Sequence, residues 1–516
     1  MSDKRCPVLM VMGTASSVGK SLVVSGLLRV YRNMGYNVAP FKAQNMALNS
    51  YVSDDGKEIG RAQAVQAEAA KVPSSVHMNP VLLKPEGDRS SQVVVLGEVK
   101  GTMTAKEYHL AKPELRSIIL DSLDKLRQTH DLVIIEGAGS PAEINLKSQD
   151  IVNMFVARSV KAPVLLVGDI DRGGVFASLV GTMALLTSEE RGLIKGFVIN
   201  KFRGDLSLLE SGYEDLLERT GVPVMGTLSY LKNLRIAEED SIALESRPSG
   251  FYGASMEDYL DIAIIRLPRI SNYDEFDSLE HEPCVWVRYV YHESQIKGAH
   301  LVIVPGSKKT ISDLRWMRQR GFDRALAQRA QKGGAILGIC GGCQILGHAI
   351  KDPLGVEGEK DEDRGLSLIP LETTFRAKKV TAKVSFEFVK ENRLFPTGSK
   401  ASGYEIHMGE TSGLDGSFDY GVTKIACRNK KTVAILDGAV SQNGNVVGTL
   451  VHGVLENDEL RKGLLSNLRA LNGFAPAKEA LPIKSRDEAY EELASAIKGS
   501  LDMEKISGLV GLKGDL

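Results

Sequence analysis

The sequence has few of the features that mark secreted, membrane-bound or nucleic-acid-binding proteins. Its 516 residues include only 5 cysteines, too few and too odd in number for a disulfide scaffold, which favours reduced thiols. No stretch reaches the roughly 18–20 apolar residues of a membrane span, and the N-terminus lacks a secretory-signal pattern. The 64 Lys and Arg against 65 Asp and Glu give a net charge of −1, without the basic excess of nucleic-acid binders. We therefore expect a cytoplasmic protein with no membrane and no nucleic-acid partner.

Short, continuous apolar runs alternate with helical patterns along most of the chain. Such runs are typical of strands covered on both faces, as in a parallel sheet. The alternation predicts an α/β fold of two domains, each a mostly parallel sheet flanked by helices. Strands of the first series are expected at 8–12, 132–135, 164–167 and 197–199, and those of the second at 262–265, 285–287, 301–304 and 335–339.

Changes in pattern indicate the domain boundaries. The first domain is expected to span residues 1–235 and the second residues 259–460, because charged and turn residues interrupt the periodicity in a linker at 236–258. Residues 461–516 form a predicted C-terminal helical extension that docks through one apolar face. The residues on that face are Tyr490, Leu493, Ala494, Ile497 and Leu501. The sequence leaves the oligomeric state open, and a homo-oligomer is compatible with it.

A glycine-bounded loop follows the first predicted strand and opens into a helix. Gly13 and Gly19 bound the loop, and Lys20 and Ser21 begin the helix. Backbone N–H groups of such a loop can hold phosphate oxygens, the lysine can neutralise the terminal phosphate, and the serine hydroxyl can reach Mg²⁺. Thr14 stands where the usual G-x-x-x-x-G-K-[ST] motif has its first glycine. This displaced spacing resembles the dethiobiotin-synthetase-like branch of P-loop proteins, which implies ATP as a ligand; a simple Gly-Lys turn is the alternative.

Three carboxylates at predicted strand ends fit the same branch. Glu136 follows one strand, and Asp169 and Asp171 follow the next. The carboxyl edge of a parallel sheet is where Mg²⁺ can bridge carboxylates and phosphates, so we expect Ser21, Glu136 and Asp169 to bind the metal and Asp171 to contact substrate or phosphate. Helix capping is the alternative for each carboxylate. Asn200, at the end of a further strand, resembles the adenine-reading asparagine of the branch.

A second motif, Gly338-Ile-Cys340-Gly-Gly342, joins a predicted strand to a helix in the second domain. A sharp turn of this kind presents a nucleophile at the top of the sheet, and the helix N-terminus lowers the pKa of the thiol. His452 follows a later strand-like run and is the expected base for Cys340. Backbone N–H groups near Gly306 and Gly341 are the expected oxyanion hole.

The same cysteine allows other interpretations. Cys340 and Cys343 form a C-x-x-C pair, typical of zinc and redox sites, but no second pair of ligands accompanies it. His348 and His407 are alternative bases, although single histidines are more often structural. Unequal roles for the two cysteines would distinguish nucleophilic catalysis from a metal or redox pair.

The cysteine motif together with Thr449-Leu-Val-His452-Gly453 resembles class I (triad-type) glutamine amidotransferases, which implies that the second domain releases ammonia from glutamine. The usual triad has a glutamate two residues after the histidine. Val454 occupies that place here, as in the branch that acts on cobyrinic acids, and Glu456 is a candidate replacement. Segments that resemble the cobyric acid synthase family run almost from end to end, at residues 40–50, 169–176, 200–205, 305–310 and 403–409.

This resemblance implies amidation of the b, d, e and g carboxylates of adenosylcobyrinic acid a,c-diamide. The implied ligands are ATP, Mg²⁺, glutamine and the corrinoid. Lys42, Gln44, Asn45 and Asn49 are then expected to bind substrate or phosphate, although a polar surface loop is the alternative.

Related functions are the rivals to this hypothesis. Cobyrinate a,c-diamide synthase differs after the second strand, and pyrimidine-nucleotide amidation of the CTP synthase type would need the complete His-x-Glu triad. Another ATP-dependent amidoligase is a more general alternative. A P-loop ATPase switch is the non-enzymatic rival, and the second, nucleophile-bearing domain argues against it.

Overall fold

A computed structural model describes residues 5–86, 90–231, 259–358, 360–414, 421–476 and 485–512. The linker expected at 236–258 lies outside these ranges. Contacts divide the chain into two compact units. The described residues of the first unit fall within Met1–Ala47, Ile59–Asp240 and Lys484–Leu516, and those of the second within Leu48–Glu58 and Ser241–Ile483. No helix in the described ranges is long and apolar enough to cross a membrane.

The first unit is built on a sheet of six parallel strands. Alternate residues of the central strand enter different cores: Met10 and Met12 lie in one, and Leu9 and Val11 in the other. Both faces are therefore covered, which is why the strand reads as a continuous apolar run. The strands, in spatial order, are Val224–Ser229, Ile194–Phe202, Val164–Asp169, Val8–Gly13, Leu132–Glu136 and Val38–Phe41.

A smaller sheet and nine helices complete the description of the first unit. The smaller sheet contains Gln44–Met46, Val81–Pro85, Ser90–Val95 and Glu98–Thr104. A short strand, Glu58–Gly60, has its last two residues in this unit. The described helices are Lys20–Asn33, Arg61–Ala69, Ala105–Thr129, Met154–Val160, Val175–Leu185, Ser188–Arg191, Glu210–Thr220, Arg486–Ser500 and Met503–Leu509.

The C-terminal helix Arg486–Ser500 packs on the helix Lys20–Asn33, and its predicted apolar face is buried. Gly26 leaves space for Ile497, since a side chain there would collide with it. Arg29, only 1% exposed, pairs with two carboxylates of the C-terminal helix at 2.6 and 2.8 Å. Residues 461–516, expected as one extension, are thus divided, because the helix Asp458–Leu471 belongs to the second unit. An amphipathic pattern predicts that a helix packs through its apolar face, but it does not predict which part of the protein that face contacts.

The second unit also has a mostly parallel sheet, which confirms the predicted fold class. Its strands, in spatial order, are Val285–Val290, Leu260–Ile265, Leu301–Val304, Ala335–Ile339, Val446–Thr449 and the antiparallel edge strand Ala439–Val440. The described helices are Asp277–Glu280, Thr310–Gln319, Phe322–Gln331, Gly341–Leu346 and Asp458–Leu471.

A second, largely antiparallel sheet packs in the same core. Its strands are Asp361–Arg364, Ala349–Asp352, Leu371–Phe388, Lys400–Gly413, Thr423–Arg428 and Lys431–Asp437. A two-stranded ribbon pairs Ile270–Ser271 with Gly306–Ser307. The segment Leu48–Glu58, which contains the strand Ser50–Val52, also belongs to this unit, although the sequence had placed it in the first domain.

Candidate functional sites in the two units

The phosphate loop of the first unit leads from the central strand into the helix Lys20–Asn33. Ser17 and Gly19 have positive φ angles of 57° and 96°, which turn the backbone sharply before the helix. Lys20 folds back over the loop, where its Nζ donates to the carbonyl oxygens of Ala15 at 2.9 Å and Gly139 at 3.3 Å. A mostly buried ammonium group therefore stands at the helix N-terminus, as phosphate binding requires.

Glu136 is the centre of a polar cluster beside this loop. The Ser21 hydroxyl donates to Glu136 Oε1 at 2.8 Å, and Lys42 Nζ forms an ion pair with the same oxygen at 3.0 Å. The Gln66 side-chain amide donates to the other carboxylate oxygen. The carboxylate is 1% exposed, so these three donors take the place of water around its charge.

The donor set fits Mg²⁺. This ion is commonly held by one or two carboxylates together with substrate phosphates, and it prefers hard oxygen ligands such as those of Ser21 and Glu136. Among the described residues, no group of three or more His, Cys, Asp and Glu side chains could hold a metal ion. Asp169, the third expected ligand, instead pairs with Lys201 Nζ at 2.8 Å.

The Asp169–Lys201 pair reaches the loop from another strand end. Lys201 Nζ also donates to the carbonyl oxygen of Ser17 at 2.8 Å, so the pair ties the loop to the sheet edge. Asp171 lies further out and pairs with Arg203 at 2.9 Å. Asp169 and Lys201 therefore hold the loop in place together. Asp171 is partly exposed, and its expected contact with substrate or phosphate stays a prediction.

Asn200 lies beneath the phosphate loop. Its Nδ2 donates to the carbonyl oxygen of Val18 at 2.9 Å, and its Oδ1 accepts from the Lys201 N–H at 2.9 Å. Gly19 is required here, because a side chain at that position would collide with the Asn200 amide. One end of the amide thus contacts the loop and the other contacts the next residue of the strand, and the expected reading of adenine stays a prediction.

Polar side chains of the helix Arg61–Ala69 extend the Glu136 cluster. Asn45 Nδ2 donates to Gln63 Oε1 at 3.1 Å. Gln63 Nε2 and Gln66 Oε1 are fully buried and have no hydrogen-bond partner within the described part of the chain. A buried donor and a buried acceptor left unpaired are costly, which makes this helix face a place where a polar ligand group would be stabilised.

In the second unit, Cys340 lies at the turn between the strand Ala335–Ile339 and the helix Gly341–Leu346. Its backbone has φ 50° and ψ −110°, a strained conformation for a residue with a side chain. A side chain at Gly342 would collide with the carbonyl of Val304, so only glycine fits there. The turn therefore has the geometry expected of a nucleophile elbow.

His452 is held beside this cysteine by two contacts. Its Nδ1–H donates to Glu275 Oε1 at 3.0 Å, and the other oxygen of Glu275 accepts from the Gly453 N–H at 3.1 Å. Tyr404 stacks on the imidazole with a centroid separation of 5.3 Å and an interplanar angle of 17°. The imidazole is thus fixed in its plane, and its other ring nitrogen is left for Cys340.

The electrostatics of the pair favour a thiolate and an imidazolium. Burial lowers the pKa of His452, but Glu275 and Cys340 raise it more, to about 10. Burial also raises the pKa of the Cys340 thiol, yet His452 and His407 together bring it below its usual value. Both shifts favour transfer of the thiol proton to the imidazole, which would leave on sulfur the negative charge that a nucleophile needs.

Cys343 differs sharply from Cys340. It is fully buried in the core, where burial raises its pKa well above the ordinary thiol value. The pKa values of the two thiols therefore shift in opposite directions, whereas a zinc site would hold both sulfurs as thiolates. This geometry favours the nucleophile interpretation of the motif.

The residues expected to form the oxyanion hole come together beside the elbow. A Cβ on Gly341 would lie 2.8 Å from the Ser307 N–H nitrogen, and one on Gly306 would lie 3.1 Å from His452 Cε1. Ser307 Oγ donates to Asp313 at 2.7 Å, and burial raises the pKa of Asp313 to about 7. These contacts place Gly341 beside Ser307, and Gly306 beside the imidazole, and the expected role of their N–H groups as an oxyanion hole stays a prediction.

A second histidine, His407, is half-buried and lies near enough to Cys340 to lower the pKa of its thiol. Its Nδ1 donates to the carbonyl oxygen of Gly409 at 2.7 Å, and its Nε2 lies 3.4 Å from Glu405, which Arg428 binds through two contacts of 2.8 Å. Burial lowers the pKa of His407, but Glu405 and Cys340 raise it above its usual value overall. The raised pKa favours the charged form of His407, while the contact with Glu275 marks His452 as the base.

Comparison with known proteins assigns both units. Residues 9–244 match the CobQ/CobB/MinD/ParA nucleotide binding domain, and residues 261–460 match the CobB/CobQ-like glutamine amidotransferase domain. A cobyric acid synthase of Sorangium cellulosum is 53% identical, with 98% of each chain covered. Those of Dehalococcoides mccartyi and Clostridium botulinum are 48% and 44% identical, over 97% and 98% of this chain and 97% and 99% of theirs. The chain belongs to the cobyric acid synthase family.

The acidic partner of the histidine is the residue that the sequence did not reveal. In this member of the cobyric acid synthase family, Glu275 contacts His452, rather than the Glu456 considered from the sequence. Glu275 lies 177 positions earlier, in a single 3₁₀ turn at Tyr273–Phe276. No spacing rule links the two residues. The only signal is an acidic pair, Asp274-Glu275, shortly after the first strand of the second unit.

The expected substrate residues of the cobyric acid synthase family fall in different units. Lys42, Gln44 and Asn45 lie in the first unit, where Gln44 accepts from the Tyr108 hydroxyl at 2.5 Å. Asn49 lies in the second unit and accepts from the Tyr273 N–H at 3.3 Å. Lys42 and Asn45 thus join the Glu136 cluster, and Asn49 does not contact them in the described contacts.

Proposed function

We propose that the chain amidates the b, d, e and g carboxylates of adenosylcobyrinic acid a,c-diamide, with glutamine as nitrogen donor and ATP as the activating nucleotide. The observation that carries the proposal is the presence of two chemically complementary centres in one chain of this family. One centre has a phosphate loop with a buried carboxylate, and the other has a cysteine beside a histidine that a second buried carboxylate holds in place.

In the second unit, the proposed reaction begins with attack of the Cys340 thiolate on the carboxamide carbon of glutamine. The oxygen that gains negative charge is stabilised by backbone N–H groups near Gly306 and Gly341. The imidazolium of His452 donates its proton to the departing nitrogen, so ammonia leaves and a glutamyl thioester remains. Neutral His452 then removes a proton from the water that releases glutamate.

In the first unit, the proposed reaction makes a carboxylate reactive toward ammonia. A carboxylate is a poor acyl donor, and transfer of the terminal phosphoryl group converts it to an acyl phosphate. Lys20 neutralises charge on the transferred group, and Ser21 and Glu136 would hold Mg²⁺, which supplies charge neutralisation at the phosphates when bound. We expect Lys42 and the two amide atoms without a described partner, Gln63 Nε2 and Gln66 Oε1, to orient the acceptor group.

The proposal is tested by product mass. The purified chain is incubated with ATP, Mg²⁺, glutamine and adenosylcobyrinic acid a,c-diamide, and products are followed in time. We expect stepwise replacement of carboxylate by carboxamide until all four positions have reacted. Omission of ATP is the control and should leave the substrate unchanged.

A parallel incubation with cobyrinic acid distinguishes the rival diamide synthase. Amidation that stops after two positions on cobyrinic acid, with none on the a,c-diamide, would contradict the proposal. No change in mass with either corrinoid would contradict it as well.

A further inference from the structure

The segment Leu48–Glu58 contacts the turn that carries the carboxylate partner of the catalytic histidine. Ser50 N–H donates to Asn272 Oδ1 at 2.9 Å, and Tyr273 N–H donates to Asn49 Oδ1 at 3.3 Å. Asn49 and Ser50 are almost fully buried, so these are interior hydrogen bonds. The segment therefore fixes the backbone of the turn just before the residue that binds the imidazole.

The same segment also contacts the aromatic ring that stacks on His452. Tyr51 meets Tyr404 edge to face, with centroids 5.0 Å apart, and Tyr404 in turn stacks on the imidazole. The neighbouring Val52 is fully buried in a cluster with Tyr404 and Ile406. Tyr404 is therefore packed between the segment and His452, so its ring position depends on both.

The position of Tyr404 is sensitive to this packing because a cavity adjoins it. Tyr51, Tyr404 and Gly453 line a cavity of about 420 Å³ in the second unit. Loss of the Tyr51 ring would enlarge this space and remove the edge contact. Tyr404 could then tilt away from the imidazole instead of remaining parallel to it.

The segment is anchored within the second unit, but the chain at each end of it is not. Lys383 pairs with Asp54 at 2.6 Å, and Lys379 pairs with the fully buried Glu58. The neighbouring residues Ala47 and Ile59 belong to the first unit. A short piece of chain from the nucleotide-binding sequence thus completes the packing around the glutaminase histidine.

We propose that the Leu48–Glu58 segment is a positioning element of the glutaminase centre. Tyr51 sets the plane of His452 through Tyr404, and Asn49 holds the turn that carries Glu275. Neither residue touches the reacting atoms. The inference rests on the proposed glutaminase reaction of Cys340 and not on the identity of the amidated acid.

The test compares Tyr51→Ala with Tyr51→Phe in the full chain. An aromatic contact of this kind stabilises its partner by up to ~1.5 kcal/mol, so its loss should lower the rate of glutamate release from glutamine roughly 10-fold. Tyr51→Phe keeps the ring and should stay within about twofold of the wild type. Ammonium-supported amidation should be unchanged in both variants, because that reaction does not use His452.

A pH profile separates positioning from general loss of structure. The rate at which iodoacetamide inactivates glutamine-dependent activity reports the Cys340 thiolate. Tyr51→Ala and Asn49→Ala should shift its pH dependence toward that of an ordinary thiol, whereas Tyr51→Phe should not. Tyr291→Ala, which removes a partly exposed tyrosine elsewhere in the unit, is the matched control and should leave the profile unchanged.

Two results would overturn the inference. One is wild-type glutamate release and an unchanged pH profile in Tyr51→Ala. The other is an equal loss of ammonium-supported activity, which would assign Tyr51 to folding alone. Failure of the proposed corrinoid reaction is distinguishable, because the wild-type chain would then form no amidated corrinoid while glutamate release and inactivation by iodoacetamide could still be compared.

Discussion

Each unit buries one carboxylate at the centre of its site, and the two carboxylates have different surroundings. Glu136 accepts from a hydroxyl, an ammonium group and an amide, which is an oxygen-rich cluster with one fixed positive charge. Glu275 accepts from an imidazole and one backbone N–H. The first arrangement suits a cation, which the carboxylate can bind, and phosphates, which the ammonium group can neutralise. The second suits a single titrating partner, the His452 imidazole, because the carboxylate stabilises its protonated form.

The largest effect is expected from a change beside Glu136 that removes the loop charge. Lys20→Ala should reduce amidation about 10³-fold with either glutamine or ammonium as nitrogen source, since phosphoryl transfer precedes both. Product mass against time measures this loss. Hydrolysis of glutamine without corrinoid should persist, which keeps the second unit as an internal control. Amidation at the wild-type rate would show that the loop does not bind the reacting phosphate.

A smaller effect is expected when the Glu275 carboxylate becomes an amide. Glu275→Gln should lower glutamine-supported amidation roughly 100-fold by loosening the orientation of His452. Glu275 raises the pKa of His452, so its loss lowers that pKa from about 10 and the imidazolium is lost at lower pH. The alkaline limb of the rate of glutamate release should therefore move to lower pH.

Ammonium-supported amidation by the same variant is the control for Glu275→Gln. It should match the wild type, since the synthetase reaction does not use His452. An unchanged pH profile would mean that another group raises the pKa of His452, and Glu456 would be the first to examine.

The corresponding substitution in the first unit is expected to be milder. Glu136→Gln keeps the shape of the side chain but removes the anionic oxygen that Mg²⁺ prefers, so the Mg²⁺ concentration for half-maximal rate should rise roughly 10-fold. Glu189→Gln, at an exposed ion pair with Arg158, is the matched control. If both variants respond to Mg²⁺ like the wild type, Glu136 has only a structural role.

The smallest effect is expected at the second cysteine of the motif. Cys343→Ala should leave both glutamine-supported and ammonium-supported amidation within about twofold of the wild type, since this buried thiol is protonated and unreactive. The two rates are measured beside those of Cys340→Ala. Losses of equal size in the two variants would restore the metal or redox interpretation of the pair.

Much of the first site could be predicted because strands place its residues. Lys20 and Ser21 begin the helix that the loop joins to the central strand, and Glu136 ends the strand next to it in the sheet. In a parallel sheet, such positions meet at one edge whatever the loops do. The elbow at Cys340 is predictable for the same reason. The fold class follows from the same continuous apolar runs.

The remaining residues depend on tertiary packing that no local pattern specifies. Glu275 lies in a short 3₁₀ turn, and Tyr51 reaches the second unit on a segment taken from the first domain in sequence. Gln66 lies on a helix in which every residue except Glu68 is buried, so its polarity gives no amphipathic signal. Asn200 was expected at a strand end, but the strand Ile194–Phe202 continues past it and its amide contacts the loop backbone.

The central claim is that the two centres perform separable reactions, and one pair of rates tests it most directly. Amidation by Cys340→Ala is measured with glutamine and then with a high concentration of ammonium salt. The account predicts loss of the glutamine-supported rate and a wild-type rate with ammonium, because the thiolate is needed only to release ammonia. Loss of both rates, or retention of the glutamine-supported rate, would contradict it.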